Sequence, residues 1–170
     1  MALLDIVLYP DPRLREKCTP VKKVTDQIRK ILDDMAETMY DAPGVGLAAS
    51  QVGVKERLIV VDVGDDEEGS ENPSRLYKII NPEIVKKSGK VEWEEGCLSI
   101  PGIKDKVKRS AEVLVQGLDE NGKEIEIAAD GLLAVCLQHE VDHLDGILFI
   151  DHLSRVKREL LKSKLAKAKK

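Results

Sequence analysis

The apolar positions in the first part of the chain predict one amphipathic helix and one buried strand. Apolar residues recur every three or four positions through residues 25–40, the period of a helix with one buried face. Thr25 can cap the start of this helix, and residues 42–46 (APGVG) end it. Residues 58–63 are largely apolar and β-branched, so we expect a buried strand there. The acidic residues 64–74, with Gly, Ser and Pro, predict an exposed loop.

Further strand signals lie in the middle of the chain. Residues 76–80 and 83–85 predict strand pieces, and residues 111–118 and 124–128 alternate around the turn sequence DENG, which is typical of a hairpin. Strands cluster in the middle and helices lie at both ends, so we predict an α+β fold and not βαβ repetition. The length of the chain indicates a single domain over residues 1–170.

The last third of the chain predicts two helices. Asp130 can cap a helix that continues to about Leu144, and Gly146 ends it. Because residues 132–137 are strongly apolar, we expect this helix in the interior. A last helix is predicted from about residue 151 to the end of the chain. Its apolar stripe consists of Leu153, Val156, Leu160, Leu161 and Leu165.

Composition and cysteine usage narrow the class of protein. Apolar residues make up 42% of the chain and charged residues 34%, as in soluble globular proteins. The start has no basic segment followed by an apolar stretch, and no run approaches the length of a membrane span, so we expect a cytoplasmic protein. Three cysteines are too few for a disulfide scaffold and indicate a reducing compartment without disulfides. Aromatic residues are only 3%, which makes stacking on nucleic-acid bases an improbable activity.

The charge is unevenly distributed along the chain. Residues 155–170 contain eight Lys or Arg and one Glu, a net charge of +7, although the whole chain has a net charge of −4. A basic tail on an acidic body suggests a polyanionic partner for the tail. The simpler interpretation is a solvated helix whose lysines aid solubility.

The sequence QHEVDH at residues 138–143 carries the strongest chemical signal. His139 and His143 are four residues apart, which places both imidazoles on one face of a helix, one turn apart. A metal ion bound by this pair has Glu140 beside it, and Cys97 is the obvious third ligand. Three protein ligands leave one coordination position open, which distinguishes a catalytic metal site from a closed structural one.

Two other residues compete with Cys97 as the third ligand. Cys136 could share the helical face of the histidines, but three ligands from one helix would crowd the metal, so we favour a small buried side chain beside the substrate. His152 is a weaker candidate, since a surface position at the start of the last helix is the simpler interpretation. A chance match on an exposed helix is disfavoured, because buried polar groups need partners and this helix is apolar just before the motif.

Three segments resemble the three signature motifs of the peptide deformylases, in the family's order and at similar spacing. They are residues 44–51 (GVGLAASQ), 95–99 (EGCLS) and 138–143 (QHEVDH). The resemblance extends over nearly the whole chain, and the tail resembles the bacterial class with a C-terminal helix. It implies an α+β fold with antiparallel sheets around a central helix that carries the His pair. It also implies removal of the N-formyl group from the initiator methionine of new polypeptides, which releases formate.

The resemblance further implies roles for individual residues. Glu140 takes a proton and returns it, while the Gln51 side-chain amide and the Leu98 backbone N–H stabilise the oxyanion together with the metal. Backbone groups that hold the peptide as an added strand belong to Val45, Gly46 and Gly96. The apolar pocket for the methionine side chain is lined by Leu132, Val135 and Cys136.

The donor set and the motifs leave some alternatives open. One thiolate with two imidazoles suits zinc or ferrous iron, and the resemblance implies one iron(II) ion that zinc, nickel or cobalt can replace. Asp142 either orients a ligand histidine or forms a cap or salt bridge.

A metalloprotease or another amidase would share the metal and Glu140, but would cleave internal or unformylated peptides. A non-catalytic metal-binding or ribosome-associated module would have no need of Glu140 or Gln51. Ribosome binding through residues 155–170 is a further expectation.

Overall fold

The computed structural model describes residues 2–64 and 76–168. In these ranges the helices are α1 (Asp26–Asp41), α2 (Gly131–Leu144) and α3 (Arg155–Ala168). The strands are β1 (Gly46–Ala48), β2 (Leu58–Val61), β3 (Tyr77–Ser88), β4 (Val91–Cys97), β5 (Ile100–Arg109), β6 (Glu112–Leu118) and β7 (Glu124–Asp130). Short 3₁₀ helices cover Pro12–Arg15, Ala49–Val52 and Phe149–His152. Apart from Gly64, the predicted acidic loop lies outside the described residues.

The strands form one sheet and one separate ribbon, and all the pairs between them are antiparallel. The sheet has five strands in the order β1-β2-β3-β6-β7, while β4 and β5 form a two-stranded ribbon. The turn between β4 and β5 is tight, with Cys97 paired opposite Ile100. This arrangement of antiparallel sheets and helices confirms the predicted α+β fold.

Helix α2 lies in the interior, as its apolar start predicts. It packs against β1, β2 and β7, and most of its residues are buried, including Gln138, Glu140 and His143. It ends where predicted, because Gly146 adopts φ 76°, a left-handed conformation that terminates helices. The predicted cap was wrong: Asp130 precedes the helix, but its side chain makes no capping hydrogen bond. Asp130 is also the last residue of β7, and Gly131, with φ 55°, turns the chain from strand into helix.

Helix α1 confirms its predicted cap and apolar face. The Thr25 hydroxyl oxygen accepts a hydrogen bond from the Ile28 N–H at 3.3 Å. The face turned to the core carries Ile28, Leu32, Met35 and Met39. These side chains share one cluster with buried residues of β1, β2 and α2, so α1 covers the sheet beside the His-bearing helix.

The structure corrects one predicted strand feature and confirms another. The pieces at 76–80 and 83–85 form one strand, β3, whose pairing with β6 is irregular after Ile80. Asn81 has φ 54°, and its side-chain amide bonds to the N–H and C=O of Val21 at 2.8 and 2.9 Å, which stabilises the irregular backbone. The predicted hairpin is confirmed as β6 and β7, with Leu118 opposite Glu124.

The C-terminal helix begins later than predicted and buries less of its apolar stripe. A 3₁₀ helix occupies Phe149–His152, and α3 starts only at residue 155. Leu161 and Leu165 pack against a second core cluster, but Val156 and Leu160 are 70% and 66% exposed. The helix therefore contacts the body along a narrow line. None of the helices in the described part of the chain is long and apolar enough to cross a bilayer.

Candidate metal centre and substrate groove

Helix α2 and strand β4 bring three ligand atoms to one point. The two Nε2 atoms of His139 and His143 are 3.1 Å apart, and Cys97 Sγ lies 3.4 Å from His143 Nε2. All three donor atoms lie within 4.8 Å of one another. A tetrahedral centre with bonds of about 2.0 to 2.3 Å separates its ligand atoms by about 3.3 to 3.6 Å. The predicted trio therefore has the spacing of a single metal site.

The surroundings shift the pKa values of the two histidines in opposite directions. Burial would lower the pKa of His139, but hydrogen bonding to Cys97 and Glu95 outweighs it and raises the pKa to about 10. Burial and the neighbouring charge of His139 hold the pKa of His143 well below its usual range. A divalent cation supplies positive charge at the same position and requires neutral imidazoles and a thiolate. The donor set and its electrostatic environment thus fit a metal ion.

Glu140 directs a carboxylate oxygen at the same point. Its Oε1 atom lies 3.9 Å from His139 Nε2 and 4.0 Å from His143 Nε2. Within the described residues this oxygen is buried and has no hydrogen-bond partner. Burial raises the pKa of Glu140 to about 7. A carboxylate with these properties can take up and return a proton near neutral pH.

Gln51 is held so that its amide N–H groups face the thiol. The Ala48 N–H donates to Gln51 Oε1 at 3.0 Å, and this bond fixes the orientation of the amide. Gln51 Nε2 then lies 3.4 Å from Cys97 Sγ and donates to Ser99 Oγ at 3.1 Å. Leu98 occupies the turn between β4 and β5, and its N–H is therefore outside the strand ladder. Both predicted oxyanion donors are thus next to the candidate metal ligand Cys97.

A groove of about 660 Å³ is lined in part by Cys97, His139 and Glu140. All six predicted substrate contacts line it, namely Val45, Gly46, Gly96, Leu132, Val135 and Cys136. Most of the groove surface is apolar, and Trp93, the single tryptophan of the chain, forms part of its wall. A long apolar side chain and an extended peptide backbone can both be accommodated here.

Comparison with known proteins decides the family. The family model described as polypeptide deformylase matches residues 3–159. The chain is 59% identical to a peptide deformylase of Hydrogenovibrio crunogenus over 158 residues, which are 93% of this chain and 90% of the relative. The chain belongs to the polypeptide deformylase family. It is accordingly an enzyme of a metal-dependent family.

Solved deformylase structures share this fold over almost their whole length. The Legionella pneumophila enzyme superposes with a TM-score of 0.89 at 48% identity, covering 99% of this chain and 96% of that one. The Ehrlichia chaffeensis deformylase in complex with actinonin gives a TM-score of 0.91 at 48% identity and covers 99% and 98% of the two chains.

The structure also separates the candidate ligand trio from the two residues that competed with Cys97. Cys136 lines the groove and does not belong to the ligand cluster; burial raises the pKa of its thiol, as expected for a neutral apolar side chain. His152 lies away from the cluster, with Nε2 2.8 Å from Asp142 Oδ2. Asp142 also accepts from Arg109 Nη1 at 2.6 Å, so of its two predicted roles the salt bridge is the one formed.

Two buried charged residues beside the deformylase centre were missed in the sequence. Glu95 Oε1 lies 2.8 Å from His139 Nδ1, and Arg109 binds both oxygens of Glu95 at 2.8 and 2.9 Å. Hydrogen bonding to Arg109 and His139 outweighs burial and lowers the pKa of Glu95, which is therefore ionised. Glu95 lies in the EGCLS segment, where its position two residues before Cys97 was a usable signal. The lone Arg109, at the end of a polar strand, gives no comparable signal.

Proposed function

We propose that this chain removes the N-formyl group from the terminal methionine of N-formylmethionyl peptides and releases formate. The observation that carries the proposal is the position of Glu140 Oε1, which lies about 4 Å from both imidazole nitrogens, on a residue that lines an apolar groove. Family membership supports the same reaction. The chemistry is hydrolysis: the oxygen of water bonds to the formyl carbon, the C–N bond breaks, and the amine nitrogen gains a proton.

Cys97, His139 and His143 would hold one metal ion. A divalent ion bound by them supplies Lewis acidity, which lowers the pKa of water and polarises a carbonyl. The thiolate and the two imidazoles suit iron(II) or zinc. We propose iron(II) as the native ion, on the basis of the family resemblance, with zinc, nickel or cobalt as replacements.

Glu140 is the proton carrier of this mechanism. Its Oε1 accepts a proton from the attacking water and then delivers a proton to the leaving amine, so the residue is unchanged after each turnover. The lack of a hydrogen-bond partner for this oxygen among the described residues supports the role, because its lone pairs are available to a bound water. Burial, which raises the pKa of Glu140, favours the protonated carboxyl that the second transfer requires.

Gln51 and Leu98 would stabilise the oxyanion that develops on the formyl oxygen. The Gln51 amide is pre-oriented by the Ala48 N–H, and the Leu98 N–H belongs to a tight turn, so the backbone holds both donors beside the centre before substrate binds. Gln51 Nε2 lies 3.4 Å from Cys97 Sγ, and Leu98 directly follows Cys97 in the chain. Preorganised donors of this kind typically contribute about 3 to 4 kcal/mol each to transition-state stabilisation.

The groove would hold the substrate chiefly by its backbone. The peptide would pair as an added strand with Gly46 at the start of β1, with Val45 just before it, and with Gly96 on β4. This kind of recognition does not depend on side-chain identity. The methionine side chain would enter the apolar pocket lined by Leu132, Val135 and Cys136. This combination suits an enzyme that accepts many different nascent chains but requires one terminal residue.

The direct test is formate release by protein purified without oxygen, with its metal content measured alongside. We expect turnover of formyl-Met-Ala, and neither acetyl-Met-Ala nor an internal peptide should be cleaved. Glu140→Ala should retain metal and lose activity by a factor of at least about 100, since general acid–base catalysis contributes 10² to 10⁴. Cleavage of the internal peptide would support a metalloprotease instead, and parental turnover by the variant would contradict the role of Glu140.

The basic helix α3 would bring this enzyme to the ribosome, and hence to the cytoplasm. Its lysines at 157, 162, 164 and 167 are exposed, and Val156 and Leu160 add an apolar edge. Attraction to polyanionic RNA should weaken steeply with salt. Co-sedimentation with ribosomes tests this with Lys162, Lys164 and Lys167 changed to Glu, against a control with Lys86, Lys87 and Lys90 changed likewise. Equal binding by both variants would contradict docking through α3.

A further inference from the structure

One buried guanidinium joins the two elements that carry the metal ligands. Arg109, the last residue of β5, donates from Nε and Nη2 to the two oxygens of Glu95 at 2.8 and 2.9 Å. Its remaining Nη1 donates to Asp142 Oδ2 at 2.6 Å. The side chains of Arg109 and Glu95 are only 4% and 5% exposed, so this is a desolvated bidentate ion pair and not a surface contact.

Both carboxylates bound by Arg109 are close neighbours of metal ligands. Glu95 precedes Cys97 by two residues on β4, and Asp142 directly precedes His143 on α2. Glu95 Oε1 also lies 2.8 Å from His139 Nδ1. Strand β4 and helix α2 come from separate parts of the chain, and the guanidinium fixes one relative to the other at the ligand positions.

From this geometry we infer that Arg109 is a positioning residue of the metal centre, acting on His139 through Glu95. A carboxylate at Nδ1 of a ligand histidine holds the proton on that nitrogen and leaves Nε2 free to bind the metal. Two hydrogen bonds from the buried Arg109 guanidinium hold the Glu95 carboxylate in this position. Without Arg109, the Glu95 carboxylate would lose both of these hydrogen bonds and rotate away from His139 Nδ1, which releases the His139 ring.

The bonds of Arg109 to Glu95 and to Asp142 should contribute unequally to metal binding. Asp142 has a second partner, because His152 Nε2 lies 2.8 Å from the same oxygen, and its side chain is 22% exposed. Glu95 is more deeply buried and has only Arg109 and His139 as side-chain partners among the described residues. Loss of the bonds to Glu95 should therefore lower metal affinity more than loss of the bond to Asp142.

The inference rests on the proposed metal centre, and metal affinity is its readout. Cobalt(II) is titrated into metal-free full-length protein, and the dissociation constant and the thiolate-to-cobalt absorption band are recorded before any activity assay. Arg109→Met should weaken binding about 10- to 100-fold, the usual effect of losing an outer partner of a ligand. Arg109→Lys retains the charge but cannot form the two parallel hydrogen bonds, and it should lose less cobalt affinity than Arg109→Met.

Arg57→Met is the matched control. Arg57 anchors the same helix, donating to the Leu144 carbonyl at 3.2 Å and to Asp145 at 2.9 Å, but it touches no metal ligand. The Arg57→Met variant should have lower thermal stability, but it should bind cobalt with the parental dissociation constant and absorption spectrum. Equal weakening in Arg57→Met and Arg109→Met would reduce Arg109 to a general stabiliser and overturn the inference.

Two further outcomes keep this test separate from that of the proposed function. Parental cobalt binding and spectrum in Arg109→Met would overturn the inference but leave the metal centre intact. Failure of the parent chain to bind cobalt would count against the metal centre itself. Should Arg109→Met fail to fold, Glu95→Gln and Arg109→Lys decide: parental affinity in both would overturn the inference.

Discussion

The carboxylate of Glu140 packs directly against the backbone of Gly46. A Cβ atom added at residue 46 would lie 2.6 Å from Glu140 Oε2, closer than non-bonded atoms approach. The first strand and the His-bearing helix thus touch at Glu140, the residue that we propose carries the proton. The glycine of the GVGLAASQ segment allows this contact, and the contact holds Oε1 toward the metal ligands.

Gly46→Ala should therefore impair turnover without removing the metal. The methyl group would push the Glu140 carboxylate away, and a displacement of about 1 Å at a reacting group can cost about 100-fold in rate. We expect kcat for formate release to fall about 10- to 100-fold, with metal content unchanged because the added methyl group points at Glu140 and not at the three ligands. Parental kcat, or loss of the metal, would contradict this account.

Gln51→Met should remove a transition-state interaction. Methionine has a similar length but no N–H, so it cannot donate to the developing oxyanion. Loss of one such donor typically lowers kcat by about 100- to 1000-fold. Ser99→Ala is the comparison, because it removes only the hydroxyl that accepts from Gln51 Nε2 at 3.1 Å. Its effect on kcat at equal metal loading should be much smaller; equal losses in the two variants would assign the effect to the packing around Cys97.

Glu140 should make the metal-free protein less stable as pH rises. Burial raises its folded-state pKa to about 7, above the ordinary value of 4.5, so the folded state holds its proton more tightly than the unfolded state between these values. The free energy of unfolding therefore falls from pH 4.5 to pH 7, by up to about 3 kcal/mol at about 1.4 kcal/mol per pKa unit.

Urea unfolding of chelator-treated protein checks this prediction. Glu140→Gln should be more stable than the parent at pH 8, and this advantage should shrink toward pH 5, where the parental carboxyl is protonated in the folded state. Glu83→Gln, at an exposed position, is the control and should show no such trend. An advantage of Glu140→Gln that is the same at both pH values would contradict the raised pKa.

Local patterns predicted the features that lie within one element. The spacing of His139 and His143 fixes their common face because one helix carries both, and Thr25 caps α1 through a bond three residues away. The need for a third ligand pointed to Cys97, and the motif resemblance supplied Gln51 and Leu98; all three come from other elements. Their proximity to the histidines depends on how β4 and the 3₁₀ helix at residues 49–52 pack, and local periodicity does not encode this.

The ribbon of β4 and β5 was missed because its inward-facing positions include charges. Val91, Trp93 and Glu95 face the protein while Glu92 and Glu94 are exposed, which is a strand alternation with a glutamate at an apolar position. That glutamate is tolerated only because a distant residue, Arg109, neutralises it. The apolar stripe predicted for α3 is only partly buried, for a related reason. Helical periodicity identifies an apolar face, but not how much of it another element covers.

The methionine pocket offers a test that separates binding from chemistry. Cys136→Phe adds a ring at a buried position on the wall of the groove, 8% exposed, beside Leu132 and Val135. The ring would take space that the substrate side chain needs, while Glu140 and the three metal ligands keep their positions. We expect KM for formyl-Met-Ala to rise at least about tenfold, because excluding a long apolar side chain forfeits about 1.5 to 3 kcal/mol of burial.

The same variant should discriminate less against smaller terminal residues. The ratio of kcat/KM for formyl-Met-Ala to that for formyl-Ala-Ala should fall, since alanine does not reach the filled part of the pocket. Fluorescence of Trp93, the single tryptophan, reports binding independently of turnover because the residue lines the groove. Cys136→Ser, which preserves size, is the control. An unchanged preference for methionine in Cys136→Phe would mean that the substrate side chain lies elsewhere in the groove, and the proposed orientation of the peptide would be wrong.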